Sequence, residues 1–209
     1  MKKLCIILAG VFLMSCSQDQ EVAVISTEFG DMVVEFYEEA APQHVESFKT
    51  LAAEGYFDRT TFHRVIPGFV IQGGDPNSKD DDRLNDGSGG RAGKYFGIGD
   101  ENNKDTWMIP AEFNDSLHLK GTLSMARTNE KNSATSQFFI CSAPVPRLNG
   151  KYTVFGKVIK GLDIIDQIVK TSTPRNQNPL YQGPDMDNPL DKIEMTVRLT
   201  KRSSILEEK

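Results

Sequence analysis

Short apolar runs, mostly four to seven residues long, dominate the chain, and only two stretches repeat at helical spacing. Residues 22–27 and 32–37 are rich in β-favouring side chains and meet across Gly30-Asp31, a pairing that predicts a hairpin. Further strands are predicted at 61–66, 69–73, 121–126, 137–142, 153–159 and 192–200. Over 42–53, Val45, Phe48, Leu51 and Ala52 fall on one helix face, with Pro42 suited to the first turn and Gly55 to the exit. A second helix is predicted at 162–169, with Leu162, Ile165, Ile168 and Val169 facing inward. Eight strands and two helices without βαβ alternation predict a mainly β fold, a closed eight-stranded antiparallel β-barrel capped by two α-helices. Two long segments lack apolar periodicity. Residues 77–103 are rich in Asp, Gly and Asn, and 172–191 carry Pro174, Pro179, Pro184 and Pro189. Both are predicted to be elaborated surface loops.

The N-terminus stands apart from this pattern. Lys2 and Lys3 precede a short apolar stretch, residues 4–14, that is of signal-peptide length and too short to span a bilayer. It ends in Leu13-Met14-Ser15-Cys16, which resembles the lipobox of bacterial lipoproteins. The resemblance implies a signal peptide over residues 1–15, a lipidated Cys16 and a polar tether over 16–21. A domain over 22–202 and a C-terminal tail over 203–209 follow. Two acyl chains on Cys16 would anchor the protein stably to a membrane of the bacterial cell envelope, facing the periplasm.

Composition narrows the rest. With 38% hydrophobic and 25% charged residues among 209, a folded domain with its own core is expected. A formal net charge of −5 and no basic cluster argue against nucleic acid as a partner. Of three cysteines, Cys5 lies in the signal and Cys16 is the lipid site, so Cys141 has no disulfide partner within the domain. In the apolar run Phe138-Phe139-Ile140-Cys141 it reads as a buried, inert thiol.

No metal or nucleophile site emerges. His44, His63 and His118 have no paired spacing. Asp80-Asp81-Asp82 begins like a calcium loop, but Leu84 falls where an oxygen ligand is needed. Gly87-Ser88-Gly89-Gly90 and Gly93 could form a backbone anion nest, yet no Lys-Ser/Thr pair follows, a strand-to-helix context is lacking, and the run reads better as a flexible loop. Ser136 has no evident base partner. No cofactor is expected.

The informative stretch runs Phe62-His63-Arg64-Val65-Ile66-Pro67-Gly68-Phe69-Val70-Ile71-Gln72-Gly73-Gly74-Asp75. It reads as two short strands joined at Pro67-Gly68. Strand alternation would put Phe69 and Ile71 on one face, and Phe62, Arg64 and Ile66 on one face of the preceding strand. Two accounts of its polar residues stay open at this point. Arg64 pairs with an acid and Gln72 satisfies backbone groups, or the two belong to a site.

This stretch resembles the signature of cyclophilin-type peptidyl-prolyl isomerases nearly residue for residue. Three further blocks are similar to the family and occur in its order: Gly121 to Ala126, Ser136 to Ile140, and Leu148 to Val158. The resemblance implies the family's barrel fold and catalysis of rotation about X–Pro bonds in proline-containing polypeptides. With the lipobox, it implies a monomer that assists the folding of exported proteins. Arg64 falls on the catalytic arginine. Phe69, Phe139 and Leu148 fall on the walls of the proline pocket, and Val70 stands where Met is common. Gln72 and Gln137 fall on polar positions that orient the substrate backbone. Ala126 and Arg127 fall on the segment lining the groove. Tyr152 stands where eukaryotic members usually have His, Arg127 where Asn is usual, and Arg147 where many members carry an aromatic. The last departure bears on cyclosporin-like inhibitor binding more than on catalysis. A non-catalytic peptide-binding module using the same groove is the competing reading.

Overall fold

The computed structural model describes residues 19–207. The expectations for the signal segment and for lipidation of Cys16 concern residues outside this range. Nine strands form one antiparallel sheet: β1 (Glu21–Thr27), β2 (Gly30–Phe36), β3 (Thr60–Thr61), β4 (Arg64–Ile66), β5 (Val70–Gly73), β6 (Thr122–Met125), β7 (Phe138–Cys141), β8 (Val154–Lys160) and β9 (Glu194–Lys201). Their order is β3-β9-β1-β2-β8-β6-β7-β5-β4. Among the described residues, four α-helices accompany them, α1 (Pro42–Ala53), α2 (Leu162–Ile168), α3 (Pro174–Gln177) and α4 (Arg202–Glu207).

The sheet departs from the expected closed eight-stranded barrel at one place. The run predicted as a single strand, 61–66, is broken at Phe62-His63 into β3 and β4, which form the two edges of the sheet. Phe62 N–H still donates to the Ile193 carbonyl on the β9 side, whereas Val65 N–H donates to the carbonyl of Asp187. The chain therefore leaves one ladder and enters the other, and the edges are linked covalently rather than by a ladder of their own. This break also separates side chains expected on one face. Phe62 is fully buried in the main core, while Arg64 lies outside it.

Period-two alternation sorts the sheet into an interior and an exterior. Val65, Ile71, Ile140 and Leu123 are successive partners across β4, β5, β7 and β6, and all lie in the main core. Phe69 precedes β5 in the turn after Pro67, so the predicted pairing with Ile71 fails and Phe69 packs outside. From α1, Phe48 reaches into this core, with its ring centroid 4.9 to 5.7 Å from those of Phe36, Phe57, Phe138 and Phe155. Such aromatic pairs each add about 0.5–1.5 kcal/mol beyond area burial.

Helix α1 matches its predicted span. Its cap comes from a distance: the N–H groups of Gln43 and His44 donate to the Glu112 carboxylate (3.1 and 3.0 Å), which also meets His44 Nδ1 at 2.6 Å. Burial pulls the Glu112 carboxyl upward, but these hydrogen bonds outweigh it and hold it below the usual value. Helix α2 buries Ile164, Ile165 and Ile168, whereas Leu162 is exposed rather than inward. The hairpin turn lies at Glu28-Phe29, because Gly30 and Asp31 already pair with Thr27 and Ser26.

Residues 19–21 and 203–207 belong to the fold, where the sequence predicts a tether and a tail. Glu21 opens β1, and Asp19 accepts a hydrogen bond from Ser203 N–H (3.0 Å). Residues 202–207 form α4, whose Ile205 packs on Val22, Val24 and Val33, the outward face of β1 and β2. The outer face at the opposite end of the sheet order carries the site.

Candidate active site

Arg64, Gln72, Phe139 and Ser124 form the outward row across β4, β5, β7 and β6, one residue out of phase with the core row. The ladder thus places an arginine, an amide and a phenyl ring side by side on one exposed face. Around them Val70, Cys141 and Val145 are buried, and Phe69, Ala126, Leu148 and Tyr152 pack at the edge. Leu148 comes from the 3₁₀ turn Pro146–Leu148.

Together they enclose a slot of about 120 Å³ lined by Arg64, Phe69, Val70, Gln72, Ala126, Arg127, Phe139, Leu148 and Tyr152. Drug-sized ligands need ~300–1,000 Å³, so this slot suits one small ring. The Phe139 ring is braced on both sides. His118 stacks on it (centroids 6.0 Å, planes 18° apart) and Tyr152 meets it edge-on at 5.7 Å. Its neighbour Cys141 is fully buried, and burial pushes the thiol up to about 12, so it stays protonated and unreactive at neutral pH.

The polar side of the slot is a relay of amides. Arg64 Nη1 donates to Gln72 Oε1 (3.2 Å), Gln72 Nε2 to Gln137 Oε1 (3.0 Å), and Gln137 Nε2 to the carbonyl of Gly89 (2.7 Å). Gly89 is held in turn by Asp75, a fully buried carboxylate. Asp75 accepts from the N–H groups of Asn77 (2.8 Å), Gly87 and Gly89 (3.2 Å). The Gly87–Gly90 run is therefore an anion nest after all, and the anion is the chain's own Asp75. A Cβ on Gly89 would lie 2.5 Å from Asp75 Oδ1, which explains the need for glycine there. This replaces the expectation of a free, flexible loop.

The 172–191 segment also contributes. Asp187, buried, lies 3.9 Å from Arg64 Nε, but its main partner is Arg175 Nε at 2.7 Å. Burial lowers the Arg64 guanidinium below the usual arginine value, Asp187 opposes this, and Arg175 adds to it. Arginine starts so high that Arg64 remains a cation. With one edge near Asp187 and one nitrogen on Gln72, it still faces the slot, 5.7 Å from the Phe69 ring centroid.

All the sequence-predicted slot residues converge, and Gln137 joins them one amide behind. Arg127 stacks on Tyr152 (4.5 Å), and its guanidinium is pinned by the carbonyls of Lys151 and Thr128 (both 2.8 Å). Asp75, Gly89, His118 and Asp187 went unassigned from sequence. Asp75 and Gly89 left a trace, an acid and a glycine run, but Asp187 sits in a loop without any periodic signal.

The sequence profile described as "Cyclophilin type peptidyl-prolyl cis-trans isomerase/CLD" matches residues 22–187. The chain belongs to the cyclophilin-type isomerase family. A probable peptidyl-prolyl cis-trans isomerase of Brucella abortus is 39% identical over 162 residues, 78% of either chain. An Arabidopsis thaliana peptidyl-prolyl cis-trans isomerase, CYP18-1, is 41% identical over 162 residues, 76% of this chain and 88% of its own. Among solved structures, a cyclophilin-type isomerase of Cryptosporidium parvum, crystallised in the presence of the dipeptide Ala-Pro, superposes with a TM-score of 0.68. It shares 28% identity and covers 87% of this chain and 98% of that one. The curled antiparallel sheet is thus the cyclophilin-like fold.

Besides Cys141, a second group in this cyclophilin site titrates far from its ordinary value. His63, next to Arg64, is 5% exposed, and neither ring nitrogen hydrogen-bonds to a described residue. Burial lowers it from 6.5 to about 4, against the pull of Asp75. The unfolded chain then binds a proton below pH 6.5 that the folded chain refuses. Stability is expected to fall as pH drops from 7 to 5, by about 2 kcal/mol from this residue. Urea unfolding across that range should show the loss, and His63→Gln should flatten it. An equally steep profile in the variant would assign the loss to other groups.

Proposed function

We propose that this chain catalyses cis–trans rotation about X–Pro peptide bonds, with Arg64 as the catalytic residue. The observation that carries the reading is a cation, fixed through Gln72, at the polar side of an apolar slot sized for one ring. The uncatalysed barrier is about 18–20 kcal/mol because nitrogen lone-pair density is shared with the carbonyl. No bond needs to break. The catalyst has only to favour the twisted amide, in which that lone pair is localised on a pyramidal nitrogen. A guanidinium proton aimed at this nitrogen binds the twisted state more strongly than the planar one, which is the condition for lowering a barrier. Phe69, Val70, Phe139 and Leu148 hold the proline ring while the preceding carbonyl turns, and they exclude water. Gln72 orients Arg64, and Gln137 steadies Gln72. Ala126 N–H is committed to the Gln137 carbonyl, so this part of the groove wall is held to the residue that precedes β7. Tyr152 and the pinned Arg127 close the other rim. Exchange spectroscopy on an X–Pro peptide, with and without the protein, tests the activity. Binding without acceleration would favour the peptide-binding module instead.

The N-terminal pattern supports a cellular setting for this activity. The basic start, apolar run and Ser15-Cys16 junction favour a chain lipidated on Cys16 and held in the cell envelope, where proline-containing exported polypeptides are its substrates. Cys16→Ser should shift the protein from the membrane pellet to the soluble fraction. Unchanged sedimentation with membranes would place the anchor elsewhere.

A further inference from the structure

A second groove adjoins the slot across Arg64 and Phe69. The 172–191 segment builds its far wall, and its charged lining comprises Arg64, Arg83, Asp86, Arg147, Arg175, Asp185 and Asp187. Most of these charged groups have a partner, although Asp86 Oδ1 is buried without one among the described residues. Arg175 pairs with Asp187 (2.7 Å), Arg83 lies 3.7 Å from Asp185 and donates to the Asn188 carbonyl (2.8 Å), and Asp86 accepts from Asn188 Nδ2 (2.6 Å). Arg64 has Gln72 and, more loosely, Asp187.

Arg147 differs from them all. It makes no ion pair or hydrogen bond with any described residue, yet it is not a loose surface chain. It belongs to the 3₁₀ turn that supplies Leu148 to the slot, and its guanidinium stacks on the slot-facing Phe69 ring at 4.4 Å. The turn is anchored by Asn149, which accepts from His118 N–H (2.9 Å), and by Val145 N–H, which donates to the His118 carbonyl (2.7 Å). The result is a positioned, uncompensated cation at the mouth shared by slot and groove, on a chain whose net charge is −5. Asp187 already occupies the outer edge of Arg64, so a carboxylate entering the groove finds its unpaired partner in Arg147.

Resting on the isomerase reading, we infer that Arg147 is a specificity-determining residue that selects substrates with an acidic side chain close to the proline, on the flank that runs into this groove. A carboxylate there gains an ion pair on a partly desolvated aromatic platform, and a lysine at the same place meets a like charge.

The test uses two pairs of otherwise identical blocked X–Pro peptides, with Glu or Lys two residues before or two residues after the proline. At low salt, kcat/KM should favour Glu over Lys by roughly three- to tenfold for one of the two pairs, combining attraction with repulsion. The ratio should shrink at high ionic strength. Arg147→Gln should bring it close to one, and Arg147→Lys should restore much of it, with the unfolding midpoint unchanged because the side chain is exposed. Equal rates for Glu and Lys peptides in the wild type, or an undiminished preference in Arg147→Gln, overturns the inference while leaving the isomerase intact. Absence of turnover with every peptide overturns the isomerase reading itself, and the inference with it.

Discussion

Arg64→Ala should lower kcat/KM for exchange of an X–Pro peptide by roughly 10²- to 10³-fold, equivalent to about 3–4 kcal/mol of barrier, because it removes a donor aimed at charge that develops only in the twisted state. The unfolding midpoint should stay near that of the wild type. The side chain is 41% exposed, and Asp187 keeps its shorter contact with Arg175 when Arg64 is gone. Arg64→Lys should recover little, since an ammonium cannot both hold Gln72 and reach the nitrogen from a fixed plane. Exchange measured by NMR line shape on both proteins, beside urea curves, separates catalysis from folding. Near-equal rates for wild type and Arg64→Ala would remove Arg64 from the mechanism. The opposite assignment, an arginine neutralised by a structural acid, would need Asp187 closer than 3.9 Å and free of Arg175.

Asp75→Ala is expected to be the most disruptive change that touches no substrate. The buried carboxylate collects the N–H groups of Asn77, Gly87 and Gly89, and its loss leaves them without an acceptor. A cost of about 3 kcal/mol is expected, visible as a lower urea midpoint. Activity should fall further than the fraction unfolded explains. Gly89 no longer holds Gln137, Gln137 no longer holds Gln72, and Arg64 loses its fixed aim. Misplacement by about 1 Å can cost up to about 10² in rate. Asp75→Asn, which keeps a carbonyl acceptor, should be milder on both counts. A wild-type midpoint and rate for Asp75→Ala would break the relay from the loop to the arginine.

Much of the scaffold was readable along the chain because its causes are local. Helix α1 follows from Val45, Phe48, Leu51 and Ala52 behind Pro42, and its limits match the prediction. The strand runs followed from short apolar stretches rich in β-favouring residues. Where prediction failed, a non-local partner had intervened. Leu162 has the right spacing to face inward, but the bundle of Ile164, Ile165 and Ile168 turns it to solvent. Residues 61–66 look like one strand, yet β9 claims its first part and β5 its second, so the chain breaks at Phe62-His63. Ile205 reads as part of a tail until the apolar outer face of β1 and β2 is seen beneath it.

The site divides along the same line. Arg64, Phe69, Val70, Gln72, Ala126, Arg127, Gln137, Phe139, Leu148 and Tyr152 could be chosen from their motif blocks, since a resemblance is carried by residue order. By itself the sequence determined the strands and the two longer helices, and its motif blocks picked out the cation and the apolar side chains that line the slot. Tertiary structure alone decided that Asp75 fills the glycine nest, that Asp187 flanks Arg64 and that Arg147 stays unpaired on Phe69. Those three outcomes depend on which groups meet across folded loops, and periodicity reports only what neighbours along a helix or strand share.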